Sequence, residues 1–257
     1  MKLVRFARGS RGAWGIVEGN KVLEITGDLF SPGDPAGRVL AMDQLKILPP
    51  ADPSKILIIA RNYADHAKEL KNDLPPAPVF VCVSPQAALA HKEAVIYPPG
   101  AERVDYEGEL VVIIGRTCAQ IAPEDALDYV AGYTCGLDIS NRDVQFGPLK
   151  NISAAKSFDT FKPFGPIVDT AADAQSLEIM LRQNGVVRQQ ASTSKMIFPV
   201  SRLISEISRC MTLLPGDVIF TGTPSGVGPV APGDDLEVEI PGLGCLKVNV
   251  QASAEAG

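Results

Sequence analysis

Glu107 and Glu109 stand two residues apart at the entry to an apolar run, Leu110 to Ile114. Side chains alternate along a strand, so both carboxylates face one side, roughly 6–7 Å apart. Two like charges this close are comfortable only in water or beside a cation. Oxygen donors of this kind suit a hard divalent ion such as Mg²⁺ or Mn²⁺, although a solvated strand face would carry the same pattern. Asp138, closing the stretch from Tyr133, could supply a third ligand or simply open a turn.

His66 and Glu69 lie three residues apart, which on a helix puts them on one face. A carboxylate bonded to one imidazole nitrogen fixes the tautomer and raises the basicity of the other. That arrangement can activate water as a general base; an exposed His beside a surface Glu would look the same. His91 has no comparable partner and reads as structural or exposed. The glycine-rich stretch 216–228 lacks the Gly-Lys-Ser/Thr of a nucleotide P-loop and the dinucleotide spacing. Its N–H groups could approach an anion, or it could be a plain loop. There is no Gly-x-Ser-x-Gly elbow.

These residues need positioning elements. Residues 1–50 read as a small β-rich unit, with a hairpin turning at Glu18-Gly19-Asn20. About 50 residues make a weak independent core, so this unit should lean on the rest. The joint Leu48-Pro49-Pro50-Ala51-Asp52-Pro53 marks a boundary, leaving 51–257 as the main domain. There, strands are expected at 56–59, 106–114, 133–138, 218–220 and 236–240. Asn184-Gly185 favours a type I′ hairpin turn between 177–182 and 186–190. A short helix is expected from Tyr63 to Leu70 with Asn62 as its cap, and a second opening at Pro123-Glu124-Asp125. A third over 200–212 has an apolar stripe of Val200, Leu203, Ile204, Ile207 and Met211. Many short strands and few helices give a mainly β, α+β architecture.

Composition limits the function. Thirty acids against 24 Lys and Arg leave a formal charge of −6 over 257 residues, which argues against a general nucleic-acid binder. The apolar runs are strand-sized, far below the roughly 18 residues of a membrane span, and the start lacks a signal peptide's apolar core. Five scattered cysteines with no Cys-x-x-Cys pair make a zinc site improbable and suit buried reduced thiols in a cytoplasmic protein.

Six segments in order resemble the fumarylacetoacetate hydrolase family, its acylpyruvase and oxaloacetate-decarboxylase-like branch. They are Arg61 to Glu69, Asp105 to Leu110, Gly132 through Asp143, Lys156 to Thr160 with Gly165-Pro166, Asn184-Gly185 with Arg188-Gln189, and Thr221 to Pro224. The resemblance implies a mixed β-roll with a small N-terminal β-rich domain, as a homodimer. It implies that Glu107, Glu109 and Asp138 bind Mg²⁺ or Mn²⁺, or Ca²⁺. It makes His66 and Glu69 a water-activating dyad on a closing segment and gives Lys156 the role of stabilising negative charge. Arg142, Gln145 and Thr223 would line the substrate site.

The implied activity is hydrolysis of a C–C bond in acylpyruvate-type 2,4-dioxo acids, through an enolate stabilised by a Lewis-acid metal. Two alternatives share parts of that set. One is a decarboxylase or isomerase of oxaloacetate-like or 2-hydroxydienoate substrates in aromatic catabolism; the other is a noncatalytic metal- or ligand-binding relative. The chain departs from the family pattern in three places. Phe80-Val81-Cys82-Val83-Ser84-Pro85 lacks the Lys-Pro many members carry, which points to a less anionic or bulkier substrate. Leu137 stands where Asn often precedes the metal Asp, and 146–155, a variable and usually mobile loop, deviates.

Overall fold

The structure, a computed structural model, describes residues 1–9, 11–69, 71 and 73–253. Leu70 of the first expected helix and residues 254–257 of the expected main domain lie outside the described residues. Among those described, the strands form three sheets of eleven, five and three strands.

The centre of the large sheet runs Lys162–Asp169, Val130–Leu137, Gly108–Ile114, Val218–Phe220, Ile56–Ala60, Val79–Val83. Gly108–Ile114 is buried at every position, because both faces of the sheet are covered. On one face Leu57, Leu110, Val112 and Ile114 share a core with Val238, Leu246 and Val248 of the five-stranded sheet. Leu203, Ile204 and Ile207 of the Val200–Cys210 helix join it. On the other face Ile58, Val111, Ile113, Phe164 and Phe220 pack with Leu3 and Trp14. A strand covered twice reads as continuous apolar sequence rather than alternation.

The N-terminal strands extend the same sheet. Lys2–Arg8 pairs antiparallel with Lys162–Asp169 through Leu3↔Val168 and Val4↔Ile167. The hairpin Arg11–Glu18 to Lys21–Ile25 continues outward. In the five-stranded sheet, Glu178–Gln183 and Val186–Ser192 turn at Asn184 (φ 53°) and Gly185 (φ 78°), the double positive φ of the expected I′ turn.

Several expectations are corrected. The 106–114 strand is broken at Glu107: Val104–Tyr106 belongs to the three-stranded sheet and Gly108–Ile114 to the large one. Asn62 does not cap the Ala64–Glu69 helix. Its amide donates to Thr221 O (2.8 Å) and Phe198 O (3.1 Å) and accepts from Phe198 N–H (2.8 Å). Pro123-Glu124-Asp125 leads only into a single 3₁₀ turn, Ala126–Tyr129. Within the expected loop 146–155, Ile152–Lys156 is helical; it follows Arg142–Phe146, and Asn141 and Asn151 cap these two short helices. Among the cysteines, Cys118 and Cys135 are buried, but Cys82 and Cys210 are exposed.

Candidate functional site

The break at Glu107 builds the site. Where the chain passes between sheets, Asp138 N–H donates to Glu107 O at 2.8 Å. This brings the end of Val130–Leu137 beside the start of Gly108–Ile114. One ligand atom each from Glu107, Glu109 and Asp138 lies within 4.8 Å of the others, and all three side chains are buried.

A cleft of about 160 Å³ opens over them, lined in part by His66, Glu107, Glu109, Arg142, Gln145, Lys156 and Thr223. Seven of the nine expected site residues therefore line one cleft. Glu69 and Asp138 stand behind it, bonded to members of the lining. Thr223 differs from expectation in one respect: its hydroxyl donates to Gly108 O (3.0 Å) and accepts from Gln189 Nε2 (2.8 Å).

The charges are paired almost one for one. Arg142 donates to Asp105 (2.8 Å), Glu107 (2.7 Å) and Gln145 (2.5 Å). Lys156 donates to Glu107 Oε2 (2.9 Å), Ser140 Oγ (2.7 Å) and, more closely still, Asp138 Oδ2. Lys162 Nζ lies 2.9 Å from Asp138 Oδ1. Burial would raise the Glu107 carboxyl, but Lys156 and Arg142 outweigh it and hold Glu107 well below the usual carboxylate range. Burial likewise opposes the Lys156 ammonium, yet Asp138 and Glu107 push its pKa up.

Glu109 is the exception. Burial, then Asp138 and Glu107, push its carboxyl well above the usual range, opposed by Lys156 and by a hydrogen bond from Gly222 N–H at 2.7 Å. Three buried acids, Asp105, Glu107 and Asp138, face three buried bases, Arg142, Lys156 and Lys162. Glu109 is a fourth acid. Asp138 Oδ1 is also a buried oxygen without an aligned hydrogen-bond donor, despite the nearby ammonium of Lys162. An all-oxygen donor set with surplus negative charge fits a hard divalent cation.

His66 Nδ1 approaches Glu69 Oε2 at 3.3 Å from the Ala64–Glu69 helix. Donation from Nδ1–H leaves Nε2 as the basic nitrogen. Glu69 in turn accepts from Gly226 N–H, at 3.1 Å to Oε1 and 3.3 Å to Oε2. The glycine-rich stretch thus presents N–H groups to anions, and these are the protein's own carboxylates, Glu109 and Glu69.

Sequence reasoning assigned no role to Asp105, Lys162 or Gln189. Asp105 orients Arg142 and also holds Arg103 (2.9 Å). Gln189 joins Gly108 N–H to Thr223 and to Pro224 O, each at 2.8 Å. Both lie inside stretches that carry the resemblance, which was the available signal. Lys162 gave none, since its partners are 23 or more residues away apart from its neighbour Phe161.

A family model described as Fumarylacetoacetate (FAA) hydrolase C-terminal matches residues 55–251. The chain belongs to the fumarylacetoacetate hydrolase family. A second model, Rv2993c-like, N-terminal, matches residues 1–50 of this family member. It is 39% identical over 220 residues to oxaloacetate tautomerase FAHD2A, mitochondrial, of Bos taurus, covering 81% of this chain and 70% of that one. It is similar to the crystal structure of 5-carboxymethyl-2-hydroxymuconate delta-isomerase from Mycobacterium smegmatis, with TM-score 0.90 and 35% identity over 98% of this chain and 100% of that chain. Maleylpyruvate hydrolase from Sphingobium sp. SYK-6 aligns with TM-score 0.82 and 31% identity over 98% and 100%. The mainly β fold of this fumarylacetoacetate hydrolase family protein is that of its relatives. No described helix is long and apolar enough to cross a membrane.

Proposed function

We propose that this chain is a metal-dependent hydrolase that cleaves a C–C bond in acylpyruvate-type 2,4-dioxo acids, acting as a cytoplasmic homodimer. The observation that carries this reading is the His66–Glu69 pair, 3.3 Å apart, at the same cleft as the three carboxylates. Glu107, Glu109 and Asp138 would hold Mg²⁺ or Mn²⁺, or Ca²⁺, and the ion supplies Lewis-acid stabilisation of developing enolate charge.

The chain's own residues do the rest. His66 Nε2 takes a proton from water, and Glu69 stabilises the imidazolium that results. The water oxygen adds to the C4 carbonyl. The C3–C4 bond then breaks, its electron pair leaving with C3, and protonation of C3 gives the 2-oxo acid beside a carboxylic acid. Lys156 supplies positive charge as negative charge grows. Arg142 and Gln145 position the substrate from one wall, and Thr223, fixed by Gln189, shapes the other.

Acetylpyruvate and fumarylpyruvate assayed with Mg²⁺ or Mn²⁺ test this. Glu109→Ala should abolish metal binding and turnover together, and His66→Ala should lose turnover while keeping metal. Wild-type rates in His66→Ala would remove the dyad from the mechanism. A second reading, favoured by the tautomerase and isomerase among the relatives, is proton transfer on an oxaloacetate-like or 2-hydroxydienoate substrate. It differs in needing no water, so a product of unchanged mass would select it.

A further inference from the structure

Beside the carboxylates, the cleft has an apolar wall made by two strands. Ile58 and Ala60 lie on one face of Ile56–Ala60, and Val81 and Val79 sit directly across from them on Val79–Val83. The next residue, Arg61, lines the same cleft. On a continuing strand, residue 61 would face away from 58 and 60. Instead the strand ends at Ala60, and Arg61 has φ 57°, a left-handed conformation uncommon outside glycine. Strain of this kind persists where the surroundings impose it, and it gathers at ligand sites. Register fixes how far this cation is from the carboxylates. Val111 pairs with Phe220 and Phe220 with Ile58, so Glu109 and Ala60 stand at one level of the sheet. They are two strands apart, about 10 Å.

With a divalent ion counted at the three carboxylates, Arg61 is the charge left over. The head carboxylate of a 2-oxo acid falls to that ion. At the site, four buried acids, Asp105, Glu107, Glu109 and Asp138, face three buried bases, Arg142, Lys156 and Lys162. Adding the ion leaves one positive charge, which the head carboxylate cancels. Arg142 is engaged by Asp105, Glu107 and Gln145, and Lys156 by Glu107, Asp138 and Ser140. Among the described residues, Arg61 is the one Lys or Arg lining the cleft without a carboxylate partner. Its bond is a long one, 3.5 Å, to Asp73 O. A second carboxylate set against Ile58, Val79 and Val81 alone would lose water and gain no partner. A guanidinium beside that wall supplies the partner, in two parallel hydrogen bonds.

We infer that Arg61 receives a second carboxylate at the far end of the substrate's acyl group, so that the cleft prefers a dianionic 2,4-dioxo acid to a monoanionic one. The inference rests on the reading above that the three carboxylates and their ion receive the 2-oxo acid head. An extended seven-carbon diacid spans about 7–8 Å between its carboxyl carbons, which suits the separation of two strands. This reverses the expectation, drawn from the missing Lys-Pro at 80–85, of a less anionic substrate.

Calorimetric titration of the Mn²⁺-loaded protein with pyruvate, 2-oxoheptanoate and 2-oxoheptanedioate tests this without turnover. The two seven-carbon acids differ only in a terminal methyl against a terminal carboxylate. Arg61 is half-buried, so its pair with the tail is partly screened. The wild type should bind 2-oxoheptanedioate at least about fivefold tighter than 2-oxoheptanoate. Arg61→Asn should close that gap and leave pyruvate affinity unchanged; Asn visits the left-handed region readily, so the backbone is kept. Arg61→Lys should retain part of the gap. In the wild type, raising NaCl from about 0.05 to about 0.5 M should shrink the preference, and this carries the test even if neither variant folds. Equal affinity of the wild type for the two seven-carbon acids would overturn the inference. So would a preference that ignores salt or survives in Arg61→Asn, or loss of pyruvate binding in a folded Arg61→Asn. The expected preference without turnover of acetylpyruvate or fumarylpyruvate would keep the role of Arg61 and remove the hydrolase reading. Hydrolysis of both with no preference for 2-oxoheptanedioate would do the reverse, and failure of all three acids to bind would remove both.

Discussion

Lys162 Nζ lies 2.9 Å from Asp138 Oδ1, and both side chains are fully buried. The same ammonium donates to Ile139 O (2.9 Å) and Phe161 O (3.0 Å). Burial pulls its pKa down to about 8 even though Asp138 opposes the fall.

Lys162→Met should therefore be costly. It leaves the Asp138 carboxylate without a buried counter-charge and the carbonyls of Ile139 and Phe161 without their donor, and breaking one side of a buried pair costs about 3–5 kcal/mol. Urea denaturation without divalent ions should show a loss of about that size. Added Mn²⁺ should restore part of it by placing positive charge back beside Asp138. Wild-type stability in the variant would mean that Lys162 does not support this carboxylate.

Gly226→Ala should impair turnover through Glu69. Gly226 has φ 100°, and a Cβ there would stand 2.2 Å from Arg188 O, so the loop must shift and withdraw the N–H that holds Glu69. We expect kcat to fall about tenfold, equivalent to about 1.4 kcal/mol of barrier, with KM changing less. A fall in melting temperature with kcat unchanged would show that this N–H does not position the dyad.

Acid should weaken the fold through the other histidine. His91 Nδ1 accepts from Lys247 N–H at 3.1 Å. Burial, then Lys92 and Lys247, lower its pKa from 6.5 to about 4. The unfolded chain binds this proton first, so the contribution is complete above about pH 6.5 and is lost as pH falls through 4. Discounted for partial exposure, it is on the order of 2 kcal/mol. His91→Asn keeps an acceptor and removes the titration. Its stability should change less than that of the wild type between pH 7 and 4.5; parallel curves would sink the assignment.

What could be read from the chain alone was what is local. Asn184-Gly185 specifies its turn by backbone preference, and Leu110 to Ile114 needs both faces of a sheet covered. The six ordered segments carried the carboxylates and the His–Glu pair. What escaped depends on distant partners. Asn62 has the chemistry of a cap, but its amide is claimed by Phe198 and Thr221, 136 and 159 residues away. Glu107 lies within an apparently continuous strand, and only the pairing of Val104–Tyr106 with Ser140–Asn141 and Gly228–Pro229 breaks it there. Lys162 between Phe161 and Pro163 has no local pattern, because its function is to balance a charge 24 residues earlier.

The pairing of Leu3 with Val168 and Val4 with Ile167 bears on how this protein can be cut. Expression of 51–257 alone would strip the neighbour from Lys162–Asp169 and turn an interior strand into an open edge. Open edges recruit other strands, so the shortened chain should self-associate. Its insolubility would then reflect a lost protective flank and would carry no information about catalysis. Shortened versions for crystallisation or display should therefore keep residues 1–50 attached.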